Sequence, residues 1–422
     1  MASTPASELA SEILEACLKE GTWPARVLDD LLERALDEDD EFAAAAATRA
    51  LFGIVIERLG DLFEPSLCDV YAKLFSHVIA RALPEYNAND LLIRYRRIRQ
   101  TRRFQGGKVR RVFVLSRVTL GADVAVTSIA LAAAKERFPD AEICLVGPEK
   151  NAAMFAADPR IVPVAVPYGR SSLLKERLLA AAELQVTVDE PGSIVIDPDS
   201  RLTQLGLIPV SDDARYFFFE SRAAGGELEV SLSTLIAAWL SQAFDMEPVQ
   251  SYVAPVPQEK IASITVSWGV GENADKRVCD QLESDVLAKL LTWGRPVLLD
   301  RGAGGEEAAR VDALARRLDA PGLLAIHDGS YASFASHILQ SDLYVGYDSA
   351  GQHVAAAGHV PLVSVFCGYA SQRMFSRWCP TGANSHVVAV DQTNRSTAIE
   401  RTLRAIEKAG EALAGASRGL TE

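Results

Sequence analysis

The densest cluster of reactive side chains lies in one stretch near the C-terminal end. It reads Ser341-Asp342-Leu343-Tyr344-Val345-Gly346-Tyr347-Asp348-Ser349-Ala350-Gly351-Gln352-His353-Val354-Ala355-Ala356-Ala357. An apolar run ends in Asp348 and Ser349, small residues follow, and His353 opens an Ala-rich segment. The pattern is that of a strand, a turn and a helix. In an open α/β sheet, ligands collect at the carboxyl ends of strands. A helix start adds unpaired N–H groups and a partial positive charge, which suits a phosphate. With an acid, a hydroxyl and an imidazole crowded into the turn, this stretch is the candidate centre of a nucleotide-diphosphate site. The competing reading of His353 is a helix-start histidine bonded to a backbone carbonyl. His77, His327, His337, His359 and His386 are read as packing residues.

The elements that would carry this turn follow from periodicity. Residues 1–105 show helical spacing. Breaks at Gly21, Pro24, Gly60 and Pro84 mark off four helices, the second over 27–36, the third over 42–59 and the fourth over 67–83. From Gly106 the texture changes. Short β-rich runs at 111–116, 142–146, 161–166, 193–196 and 216–219 alternate with helical segments at about 124–137, 149–156, 171–184 and 233–244. Such alternation predicts βαβ units and a parallel sheet. Pro248, Pro255 and Pro257 mark 247–260 as a linker. A second series follows, with strands at 263–267, 296–299, 323–326, 343–345 and 362–365, and helices at 281–291, 306–318, 331–339, 352–357 and 397–413. The expected organisation is an all-α unit (1–105), one doubly wound α/β domain (106–246), the linker (247–260), a second doubly wound domain (261–396) and a last helix (397–422). A cleft between the carboxyl ends of the two sheets is the default site in such an arrangement.

Composition bounds the function. The 422 residues are too many for one ordinary core. The hydrophobic fraction of 49% and charged fraction of 23% are those of a globular protein. No apolar run reaches the ~20 residues that span a bilayer, and no basic start with an apolar core marks a signal peptide, so the cytoplasm is the expected location. The six cysteines (Cys17, Cys68, Cys144, Cys279, Cys367 and Cys379) form no CxxC pair and are expected to be reduced thiols. No metal-ligating cluster is visible. The net charge of −13 argues against nucleic-acid binding. Charge is uneven, however. Residues 91–111 hold nine cations (Arg94, Arg96, Arg97, Arg99, Arg102, Arg103, Lys108, Arg110 and Arg111) and no acid, so the rest carries −22. This segment has two readings. It is a contact for an anionic membrane face or acidic substrate, or a helix-linker paired with acidic neighbours.

Several motifs act in combination. Leu120-Gly121-Ala122-Asp123 runs on to Thr127, Ala130 and Leu131. Lys135-Glu136-Arg137-Phe138-Pro139-Asp140-Ala141-Glu142-Ile143 follows, then Asn151-Ala152-Ala153 and Asp158-Pro159-Arg160. The opening stretch and Pro361-Leu362-Val363-Ser364-Val365-Phe366-Cys367-Gly368 complete the set. Over residues 111–390 the chain resembles the family 9 glycosyltransferases, whose best-known members are ADP-heptose:lipopolysaccharide heptosyltransferases of the GT-B fold. Residues 1–105 lie outside the resemblance. Two departures stand out: Ala122 intervenes before Asp123, and Ala350 occupies the family's glycine position, with Gly351 one residue later.

The resemblance implies roles residue by residue. Asp123 would be the general base that takes the proton from an acceptor hydroxyl; its other reading is a helix N-cap. Lys276, with Arg277 an equal rival, would face the donor's phosphates. Ser267 takes a hydroxyl position at the same strand end. In the loop Asp300-Arg301-Gly302-Ala303-Gly304-Gly305, Glu306, ahead of Glu307, would meet the nucleoside. Asp348 would hold the sugar or order the loop, and Ser349, Gly351 and His353 would meet the diphosphate. On the acceptor side, Asp199, Arg201 and Arg222 leave strand ends; they would grip an acceptor anion or pair with one another.

The expected function is an inverting glycosyltransferase that moves a sugar, heptose in the simplest case, from a nucleotide-diphospho-sugar such as ADP-heptose to a glycan, lipopolysaccharide-type, lipid-linked or protein acceptor. No cofactor beyond the nucleotide sugar is expected. The alternatives are a nucleotide-sugar epimerase or hydrolase of the same fold, and a non-catalytic binding or assembly protein. The segment 94–111 is a candidate for peripheral membrane contact, and the helical unit for homo-oligomer formation.

Overall fold

The computed structural model describes residues 4–169, 173–271, 273–382 and 384–419, without the side chains of 415–419. Eleven strands form two parallel sheets among the described residues. The first contains β1 (Arg111–Leu115), β2 (Glu142–Gly147), β3 (Ile161–Ala165), β4 (Ser193–Asp197) and β5 (Tyr216–Phe218), in the order β3-β2-β1-β4-β5. The second contains β6 (Ile264–Ser267), β7 (Val297–Asp300), β8 (Leu324–His327), β9 (Leu343–Tyr347), β10 (Leu362–Cys367) and β11 (Ser385–Val390), in the order β11-β10-β9-β6-β7-β8. The expected strands are present. β11 and the helix Gln372–Trp378 were not foreseen. β11 is an edge strand whose side chains are mostly half-buried, so its apolar signal is weak. The first residues of the helix expected over 171–184 lie outside the described residues; the observed helix runs over Leu174–Val188.

Strand order fixes where ligands collect. In the first sheet the chain steps from β1 to β2 and β3 on one side, then crosses to β4 on the other. In the second it steps from β6 to β7 and β8, then crosses to β9. Crevices therefore open at the carboxyl ends of β1 and β4, and of β6 and β9.

The expected separate all-α unit is not what the structure shows. The helices Ala6–Glu20, Ala25–Ala35, Glu41–Ala50, Glu57–Asp61, Pro65–Ala82 and Ala88–Ile98 precede β1. Their apolar faces, such as Leu28, Leu31, Leu32 and Ala35 on one helix, merge into one core with Phe113, Leu115, Cys144, Val146, Val195, Tyr216 and Phe218 of the first sheet. Alternate residues Val112, Val114, Ile143, Leu145, Ile194, Ile196 and Phe217 face the opposite layer. A period of two assigns the two faces. The reason for the merger lies in the crossovers. The β4–β5 connection carries only 3-10 turns, so 174–188 is the one crossover helix in that core, and the N-terminal helices fill the remaining face. Capping supports them locally: Asp40 accepts from the Ala43 amide at 2.9 Å, and Asn87 from the Asn89 amide at 2.9 Å. The helix 88–98 was read as part of a basic segment, because Arg94, Arg96 and Arg97 dilute the buried Leu91, Tyr95 and Ile98.

The second sheet has its own core around Val266, Trp268, Val286, Leu299, Val345 and Val365. Its other face shares a cluster with the first unit, where Phe334, Ile338, Tyr344 and Val354 meet Val124, Ile129 and Trp239. The two α/β units thus meet across apolar side chains. Among the described residues no helix is long and apolar enough to cross a membrane.

Candidate active site

At the second sheet's crossover, Ser267 pairs in register with Gly346, which brings Ser267, Asp348 and Ser349 together. Lys276 rises from the 3-10 turn Ala274–Lys276, which Asn273 caps. Its ammonium lies 2.8 Å from one carboxylate oxygen of Asp348 and donates to the Asp348 carbonyl at 3.3 Å. The Gln352 amide holds the other carboxylate oxygen. The Asp348 carboxylate thus bridges Lys276 and Gln352. The rival cation Arg277 turns away, to Glu283 at 2.7 Å and to Asp280. Ser349 is the N-cap of the helix Ala350–Ala357, and its side chain caps no amide. The first-turn amides are thus without a side-chain acceptor, beside an ammonium.

Two expected donor residues sit elsewhere than foreseen. Gly351 does not face the crevice: a Cβ there would overlap the hydroxyl and ring of Tyr344, so its small size makes room under the helix. Glu306 is exposed, whereas Glu307 is partly buried between Gly269 and Gly302, at the ends of β6 and β7. A helix turns 100° per residue, so of two adjacent glutamates only one can face the crevice. Burial raises the Glu307 carboxyl above its ordinary value, against a hydrogen bond from the Ala303 amide. Ser267 donates to Asp300 at 3.3 Å. The Tyr344 hydroxyl is buried beside this group without a well-formed hydrogen bond.

His353 is buried, packed 5.9 Å from the Trp378 ring. Burial lowers its pKa to about 4, so it is neutral near pH 7. Across the domain boundary it meets Gly121: a Cβ on Gly121 would lie 3.3 Å from both His353 Cδ2 and Ala350 Cα. The first helix of one unit and the candidate donor helix of the other therefore touch.

Asp123 was expected at the cleft face. It is wholly buried instead, and it accepts from four donors at 2.5 to 2.6 Å: the Ser116 and Thr127 hydroxyls, the Arg117 amide and the Asn151 amide group. It is not the N-cap either, since Thr119 holds that position. Burial raises its pKa, and the four donors oppose the shift. Residues Asp123–Thr127 form a π turn within the helix.

Sequence reasoning missed Arg117. It leaves β1 at the first sheet's crossover and is buried. Its guanidinium donates to the Pro198 carbonyl at 2.5 Å and the Ser221 hydroxyl at 2.8 Å, and lies 5.8 Å over the Trp378 ring. Its Nε finds no partner. Burial lowers its pKa to about 10. One arginine next to a strand end carried no distinct signal.

The acceptor-side residues pair internally. Arg222 donates to Asp199 at 2.6 Å, and Ser221 does the same at 2.6 Å. Arg201 lies 3.9 Å from Glu57 of the N-terminal helices. Four of the nine cations of the basic segment are paired: Arg94 and Arg97 with Asp213, Arg99 with Glu220 and Asp69, Arg111 with Glu142 and Glu190.

The helix Gln372–Trp378 closes the arrangement. Arg377, 1% exposed, donates to the carbonyls of Leu228, Val230, Ala224 and Gly226. Arg373 donates to the Phe63 carbonyl at 3.2 Å and meets Glu227 at 2.7 Å, and the Ser371 hydroxyl donates to the Leu62 carbonyl at 3.2 Å. This clasp ties the second α/β unit to the first and to the helical layer.

No family model and no curated protein matches the chain in sequence. Solved structures match in fold. A glycosyl transferase of family 9 from Veillonella parvula superposes with a TM-score of 0.55 at 16% identity, over 72% of this chain and 97% of that one. The E. coli heptosyltransferase WaaC with ADP gives 0.55 at 15% identity, over 72% and 99%. The E. coli ADP-heptose lipopolysaccharide heptosyltransferase II gives 0.53 at 15% identity, over 73% and 99%. At such identities the likeness is one of fold: two parallel-sheet α/β units.

Proposed function

We propose that this protein is a glycosyltransferase that takes its sugar from a nucleotide-diphospho-sugar, with ADP-heptose as the donor to test first and a glycan or lipopolysaccharide-type hydroxyl as acceptor. The observation that carries the reading is the Lys276 ammonium, fixed by Asp348 beside the open start of the helix Ala350–Ala357. The reading is supported by the shared fold, since one structural neighbour is named as binding ADP. In this scheme residues 261–396 bind the donor, 106–246 face the acceptor, and 247–260 join them in a cytoplasmic enzyme.

As the anomeric C–O bond breaks, charge builds on the leaving diphosphate. Lys276 and the first-turn amides offset it, without reorganising, in a partly dehydrated site. The acceptor hydroxyl attacks the opposite face of the anomeric carbon, and its proton passes to Asp123. Because Asp123 holds four donors, the acceptor hydroxyl must displace one of them. That saturation favours a second reading, a protein that binds the nucleotide sugar without transferring it.

One experiment separates the readings: incubation with ADP-heptose, with and without lipopolysaccharide acceptor, and mass analysis of products beside calorimetry. A glycosylated acceptor supports transfer. Free sugar or an epimer without acceptor identifies a hydrolase or epimerase, and binding without turnover identifies the binder. No affinity for ADP or ADP-heptose overturns the reading at its root.

A further inference from the structure

The basic segment has been sorted by the fold. Cations on its protein side meet carboxylates: Arg94 and Arg97 meet Asp213, and Arg99 meets Glu220. Those on its other side line a cavity of about 550 Å³ beneath the first sheet, at the amino ends of β4 and β5. Arg102, Arg103, Lys108 and Arg215 are in its wall, and no carboxylate is. Arg215 is held outside by the carboxylate of Asp189. Arg102 donates to the carbonyls of Asp213 and Tyr216, which fix the guanidinium without cancelling its charge. Arg103 and Lys108 are exposed. The floor is apolar: the Phe104 and Phe217 rings are 6.3 Å apart, and the Arg102 guanidinium lies 5.8 Å over Phe217.

We propose that this cavity is a binding site for a phosphate group carried on an apolar body. Its volume falls within the ~300–1,000 Å³ of small-molecule sites. Guanidinium and ammonium groups without a carboxylate partner are the chemistry that recognises phosphate. The rest of the chain carries −22, so this cluster is a local cationic region on an acidic protein. The cavity lies at the strand ends opposite the candidate active site, so occupancy here does not compete with a nucleotide there. The proposal stands apart from the glycosyltransferase reading. Two sources carry this chemistry: a lipid headgroup and a soluble phosphate ester.

The test uses the full chain carrying Lys276→Ala, which disables the other candidate anion site, with and without Arg103→Glu and Lys108→Glu. Both added substitutions are at exposed side chains, and circular dichroism checks the fold. Inorganic pyrophosphate is titrated at fixed ionic strength, and sedimentation is measured with phosphatidylglycerol and with phosphatidylcholine vesicles. The expected result is binding in the Lys276→Ala chain that weakens at least ~10-fold with the two charge reversals. Retention on phosphatidylglycerol alone, lost in the reversed variant, identifies a headgroup as the source; pyrophosphate binding without vesicle retention identifies a soluble ester. Binding that the charge reversals leave unchanged overturns the proposal, as does the absence of both pyrophosphate binding and vesicle retention.

Discussion

The Lys276 ammonium is held 2.8 Å from the Asp348 carboxylate, at the point where the second sheet's strand order reverses. Each group keeps the other in place, and the cation retains a hydrogen for a ligand. Replacing Lys276 by Ala is expected to weaken ADP binding ~10- to 100-fold, as for loss of a charge-assisted phosphate contact. Calorimetry checks this. Unchanged affinity would place the nucleotide elsewhere.

Asp123→Asn removes a buried carboxylate that accepts four hydrogen bonds. The amide can accept from some of those donors but sets its own NH2 against the rest. A loss of ~2–4 kcal/mol in folding stability is expected, together with loss of sugar transfer and retained ADP affinity. Denaturant melts and transfer assays read the two effects separately. A variant that transfers at the wild-type rate shows that Asp123 only holds the Ser116–Arg117 turn.

Glu220 is buried between the helical layer and the first sheet, where Tyr95 and Arg99 meet it. Burial raises its pKa from 4.5 to about 7, against the opposing pull of Arg99. The folded state therefore holds the proton more tightly than the unfolded chain. This contribution is fully present below pH 4.5 and is lost as pH rises through about 7. Asp197, raised to about 6 by burial, acts in the same sense at lower pH. His353, lowered to about 4, acts oppositely, and its share is lost as pH falls from 6.5. Between pH 4.5 and 7, Glu220→Gln is expected to remove the decline in stability with rising pH that Glu220 contributes to the wild type. Denaturation midpoints across that range measure it; parallel curves would rule Glu220 out.

Gly351→Ala drives a methyl group into Tyr344. Overpacking of this kind costs ~1–3 kcal/mol. Tyr344→Phe in the same chain removes the clashing hydroxyl, so the double variant is expected to recover part of the loss. A double-mutant cycle by thermal melting gives the coupling, and additive losses would show that the two residues do not meet in solution.

The alternation of strands and helices was plain in the sequence because each buried strand is a short apolar run and each crossover helix has its own period. The edge strand Ser385–Val390 was not, because few of its side chains are buried. The turn around Asp348 was legible as chemistry, since its polar residues interrupt apolar neighbours. The direction of its side chains was not: Gly351 was read as facing a phosphate, and only the Tyr344 ring beneath it explains its size. Glu306 and Glu307 are equivalent as letters and differ by a helical turn angle in space. For Arg94, Arg99 and Arg222 the sequence leaves both a ligand contact and an internal pair open, because their partners, Asp213, Glu220 and Asp199, are distant in the chain.

The clasp at Arg373 and Arg377 joins three bodies at one point, because Ser371 and Arg373 reach the Leu62–Phe63 corner while Arg377 holds the 224–230 loop. The helical layer therefore shares a contact with both α/β units. A chain cut at residue 105 would lose the Ser371 and Arg373 contacts at that corner and keep those of Arg377.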